Sequence, residues 1–93
     1  MAKYNTISAL AVQRAKQMTH KYIMEAMKER DLSNYALAKI AGLNRQIIDS
    51  YVKDDQYNLT LESYYRICGA LNLRPYLIPA ELDNTDMPFE HFN

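Results

Sequence analysis

An all-α fold is what the sequence predicts, and three observations lead there. Apolar residues recur three or four positions apart along most of the chain up to Leu71, which is helical periodicity. Ser33, Asn44 and Thr60 each stand directly before such a stretch, where a side-chain oxygen can satisfy an orphan backbone N–H. Only two glycines, Gly42 and Gly69, occur in 93 residues, and they are isolated. That length suits one domain, and a hydrophobic content of 48% argues against global disorder.

The elements follow in order. Residues 1–5 are expected to be loose. From about Thr6 the apolar positions Ile7, Leu10, Ala11, Ala15, Met18, Tyr22, Ile23, Ala26 and Met27 define one long helix to Arg30, or two with a break near Thr19. Ser33 then caps a short helix over 34–41 with Leu37, Ala38 and Ala41 inward. Gly42 follows its last periodic residue, where a left-handed cap suits glycine. After Leu43, Asn44 caps another helix that turns Ile48, Tyr51 and Val52 inward and leaves Arg45, Gln46, Asp49 and Ser50 outside. Two short helices, a glycine turn and a polar second helix make a helix-turn-helix.

Residues 54–58 read as a polar loop. Thr60 opens a last helix with Leu61, Tyr64, Tyr65, Ile67, Cys68 and Leu71 as its apolar positions, ending near Asn72. Residues 73–78 alternate partly and carry aromatic and β-branched side chains, which suits a short strand, held to an edge by Pro75. A lone strand needs a partner, and the cheapest is the same strand of a second copy. Leu73, Tyr76 and Ile78 are therefore the candidate dimer seam. Residues 80–93 form an acidic tail carrying Phe89 and Phe92.

The segment 32–54 resembles the Cro/repressor-type (Xre-like) helix-turn-helix family of bacterial and phage DNA-binding proteins. The resemblance rests on Leu32-Ser33 before the first motif helix, Leu37-Ala38 within it, Gly42-Leu43-Asn44 at the turn and Ile48 in the second helix. With its flanks it covers roughly residues 18–79. It implies a lambda-repressor-like domain over 18–79, an amino-terminal helical extension over 1–17 and a tail over 80–93. It also implies that Arg45, Gln46, Asp49 and Ser50 read bases, because the second motif helix of this family enters the major groove. Arg can donate twice to guanine and Gln can pair with adenine. Ile47, where the family often has a small polar residue, either presses on a thymine methyl group or is buried.

Phosphate contacts are assigned to Asn34 and Asn44 at helix starts, to Lys39 and Lys53, and to Tyr57 and Asn58 in the following loop. That loop departs from the family pattern: it carries Asp54 and Asp55 where basic residues are common. The two carboxylates should point away from DNA, or binding should be weak.

Net charge is zero, yet the charges are unevenly placed. Residues 1–53 hold nine Lys and Arg against four acids, whereas residues 81–93 hold four acids and no Lys or Arg. This fits a phosphate-binding face, and it equally fits a mixed surface with a solvated tail. Enzymatic readings lack residues. His20 and His91 have no partners at metal-ligand spacing, two isolated glycines cannot make a phosphate loop, and Cys68 lies on an apolar helical face. No metal or cofactor is expected. The single cysteine and the lack of a run of ~20 apolar residues suit a cytoplasmic protein with no membrane contact, and the resemblance implies a prokaryotic or phage-encoded one.

The reading that follows is a dimeric transcriptional repressor of its own promoter, with double-stranded DNA and a second copy as partners. Two alternatives stand beside it. Residues 60–79 resemble the end of HigA-like antitoxin domains, which would add a toxin as partner and make Phe89 and Phe92 candidate contacts. A protein-interaction module that kept the fold and lost DNA binding is the other.

Overall fold

The computed structural model describes residues 2–76, with side chains from Ser8 onward. It contains four helices, α1 (Ala2–Glu29), α2 (Asn34–Ala41), α3 (Arg45–Lys53) and α4 (Leu61–Ala70), and no strand among the described residues. Helix α1 is continuous. It passes Thr19 without a break and already includes Ala2–Asn5, in place of the loose start expected for residues 1–5. No proline or glycine interrupts those positions, so nothing opposes propagation of the helix.

The three expected caps are present. The Ala36 amide donates to Ser33 Oγ at 3.1 Å, the Gln46 amide to Asn44 Oδ1 at 2.8 Å, and the Ser63 amide to Thr60 Oγ1 at 3.0 Å. The helix ends share a second device. Asp31, Gly42 and Asn72 adopt positive φ of 53°, 70° and 58°. After each, a leucine amide reaches five residues back: Leu32 to Met27 O, Leu43 to Ala38 O and Leu73 to Cys68 O. This is the Schellman arrangement, in which the residue after the left-handed cap folds onto the preceding turn. Leu32, Leu43 and Leu73 accordingly pack against the core.

That geometry corrects the expected strand. Leu73 is drawn back over α4 by the cap at Asn72, and residues 73–76 form no strand. Of the candidate seam, Leu73 is half-buried within its own chain and Tyr76 is 74% exposed. Ile78 lies outside the described residues, as do Phe89, Phe92 and the acidic tail.

The core joins all four helices. Ile23, Ala26 and Met27 of α1 meet Leu37 and Ala38 of α2, Ile48 and Tyr51 of α3, and Ile67 of α4, closed by Leu71. Burying an aliphatic side chain of this size contributes about 1.5–3 kcal/mol. Tyr22, expected in the core, is instead 57% exposed, because Ile23, Ala26 and Met27 set the buried face one position further round. Cys68 is buried and free, and burial pushes its thiol pKa upward, as it does those of Tyr51 and Tyr64.

Candidate nucleic-acid interface

Helices α2 and α3 pack together through their small and branched inward residues, and this fixes what the outer surface presents. Ile48 and Tyr51 are buried, so the residues between them in helical phase face out. Asn44, Arg45 and Gln46 are exposed at the amino-terminal turn of α3. That turn also carries the positive dipole end that favours an anion, with its Gln46 and Ile47 amides already donating to Asn44. Asp49 and Ser50 are half-buried one turn later. Ile47 is half-buried too and stands outside the central cluster, which leaves part of its side chain at the surface.

Three of the residues singled out from sequence come together. Asn34 Nδ2, at the start of α2, donates to Asp49 Oδ1 at 3.0 Å. Arg45 Nε stands 3.7 Å from Asp49 Oδ2, one helical turn away. Lys39 and Lys53 are exposed at the last turns of α2 and α3.

Tyr57 and Asn58 are placed differently. Tyr57 packs against the core, and Asn58 Oδ1 accepts a hydrogen bond from Lys16 Nζ. The whole loop after α3 is turned toward α1. Lys16 Nζ also donates to the Gln56 carbonyl at 3.0 Å, and Gln56 Nε2 donates to the Gln13 carbonyl at 3.1 Å. The two acids of this loop are used locally. Asp54 Oδ1 accepts from the Gln56 amide at 2.9 Å, and Asp55 Oδ1 accepts from Gln56 Nε2 at 3.3 Å.

A further residue of α1 reaches the candidate recognition helix itself. His20 Nε2 lies 3.1 and 3.2 Å from the carbonyl oxygens of Tyr51 and Val52, and its ring lies 5.0 Å from that of Tyr51. Carbonyl oxygens only accept, so Nε2 carries the proton there. The Tyr51 carbonyl also accepts from the Asp54 amide at 3.3 Å, whereas Val52 supplies one of the last-turn carbonyls that an α-helix leaves without an internal donor. Sequence reasoning missed this brace. Its one signal was the spacing of Gln13, Lys16 and His20, three and four residues apart on one face of α1.

Among the described residues no group of His, Cys, Asp or Glu could hold a metal ion, and no helix is long and apolar enough to cross a membrane. Four helices with a capped, outward-facing α3 after a glycine turn define a helix-turn-helix DNA-binding domain. Residues 22–76 match the family model of the Cro/C1-type HTH DNA-binding domain, and the chain belongs to that family. No curated protein and no solved structure matches it.

Proposed function

We propose that this DNA-binding regulator is a dimeric repressor that lays α3 in the major groove of a short inverted repeat, most simply at its own promoter, and acts by occlusion. The observation that carries this reading is the first turn of α3, where Arg45 and Gln46 stand exposed behind the Asn44 cap. Residues at that place in a helix-turn-helix meet base edges. Arg45 suits guanine O6/N7 and Gln46 suits adenine N6/N7. Ile47 and Ser50 flank them, while Asn34, Asn44, Lys39 and Lys53 serve as phosphate contacts.

A second copy would set the two recognition helices about 34 Å apart, matching successive major grooves. Leu73, Tyr76 and Ile78 are the proposed seam; Tyr76 is exposed, and Leu73 packs partly against its own chain. On this reading the protein works in the cytoplasm, as a prokaryotic or phage-encoded regulator. The test is a titration against DNA from upstream of its own gene, with competitor, at two salt concentrations. Tight binding that weakens with salt and falls about 10- to 100-fold in Arg45→Ala supports the reading. Equal, weak affinity for this and unrelated DNA removes the autoregulatory role.

A further inference from the structure

Asp49 was grouped with the base-reading residues, yet its carboxylate is occupied from both sides by the protein. Oδ1 accepts from Asn34 Nδ2 at 3.0 Å, and Oδ2 faces Arg45 Nε at 3.7 Å. Asn34 belongs to α2, so the carboxylate is anchored to a different helix from the arginine it faces. The Arg45 side chain is 61% exposed, and the ion pair brings its Nε to 3.7 Å from Asp49 Oδ2. The two terminal nitrogens of the guanidinium remain at the outer end of the side chain. Those are the donors a guanine edge requires. A flexible arginine otherwise loses rotamer freedom when it docks.

We infer that Asp49 is a positioning residue for base recognition: anchored by Asn34, it holds Arg45 by Nε and aims the terminal fork at one guanine. The inference rests on the proposed DNA reading and deepens it. A carboxylate at the groove also repels phosphates, so its presence lowers affinity for every sequence. The pair thus trades general affinity for discrimination at one base pair. Asn34 acquires a role beyond phosphate contact, because it acts at that same base pair from another helix.

The rival role for Asp49 is to accept directly from a cytosine N4 amino group. The two roles differ in which base pair responds. The experiment is a base-substitution scan on a duplex site selected from random sequence by the full chain. It compares wild type, Arg45→Ala, Asp49→Ala, Asp49→Asn, Asn34→Ala and the double variant Arg45→Ala/Asp49→Ala. Thermal melts confirm that each is folded.

Arg45→Ala should remove a guanine preference on the order of 10- to 100-fold at one position. Asp49→Ala should reduce that same preference about two- to fivefold, in keeping with an exposed ion pair, while binding to unrelated DNA tightens. Asn34→Ala should weaken the preference at the same position. Asp49→Asn, which keeps an acceptor for Asn34 but loses the charge, should fall between wild type and Asp49→Ala. In the Arg45→Ala background, Asp49→Ala should change no base preference at all, the signature of a residue acting through its neighbour.

Loss of preference at a separate base pair in Asp49→Ala, additive with Arg45→Ala, would overturn the inference and make Asp49 a direct reader. An unchanged guanine preference in Asp49→Ala also overturns it, and both results leave the DNA reading intact. Failure of the wild-type chain to select any site defeats the DNA reading itself, and the inference with it.

Discussion

Helices α2 and α3 are held by what they bury, whereas residues 8–20 of α1 are held by what they hydrogen-bond. In the first region Leu37 and Ile48 are 0% exposed and the helix ends are capped by Ser33, Gly42 and Asn44. In the second, Leu10 and Val12 are 41% and 53% exposed. There the attachment runs through Gln13, Lys16 and His20 to the loop and carboxy-terminal end of α3. Buried apolar contact sets a single rigid arrangement, while exposed hydrogen bonds compete with water and contribute only about 1 kcal/mol each. The motif is therefore the fixed part of the molecule, and the amino-terminal arm is an adjustable brace on α3.

The largest test of this contrast is a core truncation. Ile48→Ala should lower the unfolding free energy by about 2–5 kcal/mol in a denaturant titration, with the whole fold lost together. A loss under 1 kcal/mol would break the contrast, since the motif would then not rest on burial. Arg45→Ala sharpens it from the other side. It should cost about 1–3 kcal/mol of binding at one base pair and leave the melting temperature almost unmoved.

Next in size is Gly42→Ala. The residue has φ +70°, and an added Cβ would sit 3.1 Å from Arg66 Nη1, which itself donates to the Ala41 carbonyl. A left-handed L-residue costs about 1–2 kcal/mol, readable in the same titration. The smallest effect is expected in the arm. Lys16→Ala should lower stability by no more than about 1 kcal/mol, while amide exchange over the first turns of α1 becomes faster than over α2.

Alkali separates the regions as well. Burial raises the pKa of Tyr51, Tyr64 and Cys68, so the folded core keeps these protons after the unfolded chain has released them. In that window the native state binds more protons than the unfolded one, and stability falls as pH rises. The decline should begin above about pH 8.5–10, the ordinary thiol and phenol range, and appear in melting temperature against pH. None of the three groups lies in residues 8–20, so the alkaline loss originates in the buried core.

Local chemistry was legible in the sequence. Ser33, Asn44 and Thr60 could be read as caps, and Gly42 as a left-handed stop, because each depends only on neighbours within a few residues. The inward faces of α2 and α3 followed from spacing alone. The end of α4 near Asn72 followed as well, but not the path beyond it, because Asn72 hides a left-handed cap behind a residue that also tolerates ordinary turns. Leu73 was consequently taken forward into a strand rather than back onto Cys68. Contacts such as Asn34 to Asp49 and Lys16 to Gln56 link residues 15 and 40 apart, and only the packing of whole helices brings them together.

The central claim is that the surface around Arg45 binds duplex DNA with sequence preference. Selection from a random duplex pool by the full chain, followed by titration of the selected site over a range of salt, tests it most directly. The account predicts a short two-half-site motif spaced by about one helical turn, with affinity that falls as salt rises. A pool that returns no motif, together with weak binding indifferent to salt, would contradict it.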